Sequence, residues 1–92
     1  MFTLVQDGLA PLEMGHMWCL ESSVEAFLRE TPEVIRFDEM VAEFLSEDAD
    51  WSDLPRRPTT LEIMAACCAI ERRGDLRFEF VGGLLHVASP CA

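Results

Sequence analysis

A chain of 92 residues, half of them apolar and 26% charged, has the size and make-up of one domain spanning residues 1–92 with a single modest core, which excludes a second domain and wholesale disorder. Seventeen Asp and Glu against seven basic residues leave a formal net charge of −10, a balance that repels nucleic acid and anionic membranes and favours basic partners. No apolar run approaches the ~18 residues of a membrane span, and MFTLVQDG lacks the basic start and apolar core of a secretory leader, so a cytoplasmic protein with reduced cysteines is expected.

In chain order, Phe2–Gln6 (FTLVQ) have strand composition and run into a turn signal at Asp7-Gly8. The stretch PLEMGHMWCL is ambiguous, because Met14, Met17, Trp18 and Leu20 suit one side of a short helix while Gly15 weakens it. Ser22 and Glu25 form a capping-box pattern that predicts a helix ending before Thr31-Pro32, with Val24, Phe27 and Leu28 on one face. Thr31 as N-cap and Pro32 at the first helical position predict a second helix. Its later half carries the clearest periodicity in the chain, Phe37, Met40, Val41, Phe44 and Leu45 at i, i+3, i+4, i+7 and i+8. SEDADWSDLPRRP follows as a polar connection in which Trp51 and Leu54 are expected to fold back onto the core.

Thr59 and Glu62 repeat the capping-box pattern ahead of a third helix, with Arg72 and Arg73 in its last turn and Gly74 as its C-terminal stop. Gly82-Gly83 then reads as a two-residue hairpin turn. That turn pairs Val81 with Leu84, Phe80 with Leu85, Glu79 with His86 and Phe78 with Val87. It sets Leu76, Phe78, Phe80, Leu85 and Val87 on one face, expected to be buried. The expected fold is α+β: three helices and a C-terminal hairpin, with residues 2–6 as a candidate added strand. Residues 59–88, AIERRGDLRFEFVGGLLHV especially, resemble the last helix and wing of a winged-helix domain. The resemblance implies that the third helix enters the DNA major groove, which requires hydrogen-bonding side chains on its exposed face. Its middle, IMAACCAI, is apolar and small all round, the pattern of a buried helix.

Eleven acids fall within residues 21–53 against Arg29 and Arg36, whereas residues 54–92 carry five Arg against four acids. Glu39, Glu43 and Glu47 at i, i+4, i+8 predict a ridge of carboxylates ~6 Å apart along a helix, extended by Asp38, Asp48, Asp50 and Asp53. This ridge is the candidate surface for a basic partner; Met14, Met17 and Trp18 are a second candidate, for core or dimer contact. Arg56, Arg57, Arg72, Arg73 and Arg77 are the alternative set, for phosphate contact. His16 with Cys19 and His86 with Cys91, helped by Cys67 or Cys68, are the residue types of a zinc site, but no C-x2-C pair accompanies them. Cys19, His86 and Glu79 supply the types for nucleophilic catalysis without a motif that joins them. The expectation is therefore a non-enzymatic protein with no cofactor and no metal. It binds and regulates or inhibits a basic protein partner, nucleic-acid-binding proteins being one such class, as small acidic inhibitors and DNA mimics of phages and mobile elements do, anti-CRISPR proteins among them. Direct nucleic-acid and membrane contact are disfavoured and a homodimer stays open. The alternative is a winged-helix transcription regulator.

Overall fold

The computed structural model describes residues 12–31 and 33–90, so the candidate strand at 2–6 lies outside the described residues. The elements run α1 (Met14–Glu30), β1 (Ile35–Arg36), α2 (Phe37–Phe44), α3 (Thr60–Arg72), β2 (Arg77–Val81) and β3 (Leu84–Ala88). The class is mixed α+β, with an antiparallel sheet of order β1-β3-β2. No helix is long and apolar enough to cross a membrane among the described residues.

The first helix departs from the Ser22 start. It is capped at Glu13, whose backbone N–H donates to His16 Nδ1 at 3.3 Å. Ser22 and Glu25 fall inside it, and the neighbouring Ser23 hydroxyl bonds back to the Cys19 carbonyl at 3.1 Å, the usual way a mid-helix serine is satisfied. The reason is tertiary: Leu20, Val24 and Leu28 are buried at i, i+4, i+8. Burial at ~1.5–3 kcal/mol per side chain outweighs the ~1 kcal/mol helix penalty of Gly15.

The second helix also starts late. Thr31 is the C-cap of α1 and not the N-cap of α2; Pro32 lies outside the described residues. Ile35 and Arg36 are extended and pair with Val87 and His86 of β3. Ladder hydrogen bonds and burial of Ile35 against the core thus displace the helix that local signals predict, and α2 begins at Phe37 with Arg36 as its N-cap. Its stripe of Phe37, Met40, Val41 and Phe44 is buried as the periodicity requires. Trp51 does fold back: its indole Nε1–H donates to the Phe44 carbonyl at 2.8 Å, and Phe44 stacks edge-on with Trp51 and Phe27 at centroid distances of 5.9 and 5.3 Å. That hydrogen bond occupies one of the carbonyls that a helix end leaves open. Leu54 is buried as well.

The third helix has the predicted start. Thr59 Oγ1 accepts from the Glu62 backbone N–H at 3.2 Å, and Glu62 Oε1 accepts from the Thr59 backbone N–H at 2.8 Å. Arg73 closes the helix and Gly74 follows at φ +85°, a left-handed stop that suits glycine. The helix is not buried all round, contrary to its composition. Ile63, Ala66, Cys67 and Ile70 face the core beside α1, but Leu61 and Ala65 are exposed. A domain this small has too few elements to cover every side of a helix.

The hairpin pairs Val81 with Leu84, Phe80 with Leu85, Glu79 with His86 and Phe78 with Val87, the predicted register throughout. Gly82 and Gly83 take φ +61° and +82°, a type I′ turn. The burial expectation holds in part: Leu76 and Val87 are buried, Phe78 and Leu85 are half-buried against the core, and Phe80 is 76% exposed. Phe80 has the right parity, yet it lies on the edge strand of the sheet and is left largely uncovered among the described residues.

Ala66 and Cys67 are both fully buried. Ala66→Arg or Cys67→Arg places an unpaired charge in the core at a cost of several kcal/mol, comparable to the whole ~5–15 kcal/mol stability of a domain. Both should abolish cooperative thermal unfolding followed by circular dichroism. Ala65→Arg, on the exposed side of the same helix, should change stability by no more than ~0.5 kcal/mol.

Candidate functional site

Residues 37–53 contain seven acids, Asp38, Glu39, Glu43, Glu47, Asp48, Asp50 and Asp53, and no base. All seven are exposed. Asp38 and Glu39 occupy the first turn of α2, where the helix dipole favours carboxylates. Asp38 is also gripped by Arg36, with Nε to Oδ1 at 3.0 Å and Nη2 to Oδ2 at 2.6 Å, while Arg36 Nε lies 3.6 Å from Glu39 Oε1. The hydrogen bond from Arg36 holds the Asp38 carboxyl below its ordinary range, and the same contact raises Arg36. Asp50 accepts from the Ser52 backbone N–H at 3.0 Å, which shapes the connection after α2. Among the described residues, Glu43, Glu47, Asp48, Asp50 and Asp53 enter no ion pair.

The ridge is shorter than predicted. α2 ends at Phe44, so Glu39 and Glu43 are one helical turn apart, whereas Glu47 sits in the turn beyond. The helical i+8 spacing therefore does not apply to Glu47, because Trp51 caps the helix and turns the chain. Glu39, Ala42, Glu43 and Ser46 line a shallow, open depression of about 330 Å³. Two carboxylates over an alanine floor suit the head and stem of an arginine or lysine side chain.

The arginines of the alternative set are spread over several elements, and four of the five contact protein groups. Arg56 is part-buried and bidentate with Glu62, Nη1 to Oε1 at 2.8 Å and Nη2 to Oε2 at 2.7 Å. Arg57 Nη1 donates to the Leu45 carbonyl at 3.1 Å. Arg73 joins the end of α3 to α1 through Glu21 at 2.6 Å and Glu25 at 3.2 Å, and Arg77 lies 3.3 Å from Glu79 on its own strand. Arg72 is exposed at the end of α3. Arg56 and Arg57 thus precede α3 while Arg72 and Arg73 close it, about 20 Å away along a 13-residue helix at ~1.5 Å per residue.

The remaining candidates are dispersed. Trp18 and Met14 are 64% and 72% exposed on α1, while Met17 packs on the core. His16 belongs to the α1 cap, and His86 lies on the outer face of the sheet, across from Glu79 and Arg36, with Nδ1 2.9 Å from the Leu84 carbonyl. No group of three His, Cys, Asp or Glu side chains able to hold a metal ion occurs among the described residues; Cys91 is outside them. Burial, with a smaller contribution from neighbouring Cys68, pushes the Cys67 thiol up to about 12, so it is no nucleophile at neutral pH. Cys19 is exposed on α1 and Glu79 lies on β2. Sequence reasoning picked out Glu39 and Glu43 but not the depression that they share with Ala42 and Ser46, although the i, i+3, i+4, i+7 spacing of these four is that of one helix face. Comparison with protein-family models, curated proteins and solved structures finds no match to this chain.

Two measurements check these electrostatics. The Arg56 hydrogen bond, aided by Thr59, lowers Glu62 below its ordinary range despite the opposing effect of burial. A carboxyl depressed in the folded state contributes stability that is complete above its unfolded value, ~4.3 for glutamate, and is lost as pH falls through the folded value. Glu62→Gln should therefore lower Tm at pH 7, with the difference from wild type shrinking as the pH drops below ~4. Under native conditions at pH 8, a maleimide should label Cys19 rapidly and Cys67 only after unfolding.

Proposed function

We propose that this chain is a non-enzymatic acidic interaction protein whose α2 face and following turn dock on the basic surface of a nucleic-acid-binding protein, regulating or blocking it. The observation that carries this reading is the depression between Glu39 and Glu43, set among seven exposed acids with no base in residues 37–53. A solvated acidic helix face usually has cations interleaved with it; here Arg56, Arg73 and Arg77 are engaged elsewhere. Arg36 and Arg57 border the patch at the two ends of α2 and leave its middle unneutralised. The kinship in size and charge with phage-encoded DNA mimics and anti-CRISPR proteins is one of class.

The winged-helix resemblance enters as an architectural proposal. A helix, short strand, two helices and a hairpin, with the short strand beside the last one, are compatible with it. Direct DNA reading by α3 has little support from its exposed side, where Leu61 and Ala65 offer no hydrogen bond to a base edge. Residues 45–59 also separate α2 from α3 by far more than the 3–4-residue turn of a helix-turn-helix.

The test uses immobilised nucleic-acid-binding proteins with basic grooves, and duplex DNA as a separate probe. Wild type should bind one or more of the proteins, more weakly as salt rises, and should not bind duplex DNA. Replacing Glu39, Glu43 and Glu47 together by Arg leaves the buried stripe of α2 intact. It should lower affinity about tenfold or more, at ~0.5–1 kcal/mol per exposed charge. A folded triple variant with unchanged affinity would overturn the proposal, and wild-type binding to duplex DNA would favour the transcription-regulator reading.

A further inference from the structure

The edge of the sheet bears on a different question, independent of the acidic face. Order β1-β3-β2 leaves the outer side of β2 without a strand partner among the described residues. Exposed edges are ordinarily blunted by charged side chains, proline, a bulge or a covering element. β2, RFEFV, has no proline and no bulge, since its pairing with β3 is continuous from Arg77 to Val81; its two charges, Arg77 and Glu79, are of opposite sign and lie 3.3 Å apart, and it ends in the exposed Phe80.

The hairpin determines which backbone groups point outward. A type I′ turn closes with a hydrogen bond between the residues flanking it, so Val81·Leu84 is a hydrogen-bonded pair, and the alternation makes Glu79·His86 and Arg77·Ala88 the next ones. The N–H and C=O groups of Phe78 and Phe80 therefore face away from β3. A second strand joining this edge must bond to those residues, which restricts an antiparallel self-pairing to registers that match even-numbered positions with even-numbered positions. Centring on Arg77 or on Glu79 sets like charges directly opposite, which is destabilising. Centring on Phe78 sets Phe78 against its own copy, Arg77 against Glu79 in both directions, and Leu76 against Phe80 in both directions. That register also brings the exposed Phe80 over the partner's edge on the core-facing side, beside Leu76 and Phe78, which is the cover it lacks in one chain.

We propose that two copies of this chain pair antiparallel through β2, centred on Phe78, to form a continuous six-stranded sheet with reciprocal Arg77–Glu79 pairs. α2 packs against β1 and β3, and β1 is the far edge, so the acidic faces would lie at the outer ends of the dimer.

Sedimentation equilibrium across a concentration series tests this with the full chain. Wild type should sediment at twice the chain mass of 10.4 kDa. Arg77→Glu and Glu79→Arg should each sediment at the single-chain mass, because each sets like charges opposite one another. An equimolar mixture of the two variants should regain the doubled mass, since every cross-strand pair in the heterodimer is then of opposite charge. Phe80→Pro removes an outward N–H while leaving the β2–β3 ladder whole. It should be folded by circular dichroism and of single-chain mass. A wild type that stays at the single-chain mass at all concentrations would overturn the proposal and point to another cover for the edge, residues 2–6 of the same chain included. Variants that remain dimeric, or a mixture that fails to associate, would overturn this register.

Discussion

The structure depends on β3, which is flanked on both sides. Val87, fully buried, meets Ile35 across one edge and Phe78 across the other, and its side chain joins the core that the helices build. Removing β3 would leave β1 as two residues with no ladder and β2 as a single unpaired strand. The type I′ turn makes the arrangement possible, because two glycines at positive φ bring β3 back with no slack in its register.

Charge is distributed so that structural pairing and surface acidity are separate. Arg73 staples the end of α3 to α1, and Arg56 ties the connection after α2 to the start of α3 by holding Glu62, the same carboxylate that completes the helix cap. A part-buried bidentate pair of this kind exceeds an exposed surface pair in worth, because water competes less for its hydrogen bonds. Arg36 holds Asp38 at the start of α2 through an exposed pair of the weaker kind, the one place among the described residues where the acidic face takes part in such pairing. The acids from Glu43 to Asp53 are left without ion pairs among the described residues. They extend the field of the molecule outward and contribute little to holding it together.

The sheet edge and the acidic face are the two surfaces with the strongest chemical character, and they lie on opposite flanks of β3. One offers main-chain groups without a strand partner among the described residues, an aromatic ring and two opposite charges; the other offers carboxylates around a shallow depression. Neither competes with the other for space.

Local chemistry was legible in the chain itself. Thr59 and Glu62 dictate the start of α3, the Phe37–Phe44 stripe dictates the buried face of α2, and Gly82-Gly83 dictates the hairpin pairing, because each depends on residues within a few positions of one another. The negative charge of residues 37–53 is likewise a property of composition. What only the tertiary structure decided involves partners distant in sequence. Burial of Leu20, Val24 and Leu28 carried α1 back past Ser22 to Met14. Pairing with Val87 turned Ile35 and Arg36 into a strand where Thr31-Pro32 signalled a helix. α2 stops at Phe44, whose carbonyl Trp51 bonds, taking Glu47 off the ridge, and Phe80 on the edge strand stays exposed despite its correct parity. Periodicity specifies which side of an element is apolar, but how far the element runs and what lies beneath each residue depend on long-range contacts that no local pattern encodes.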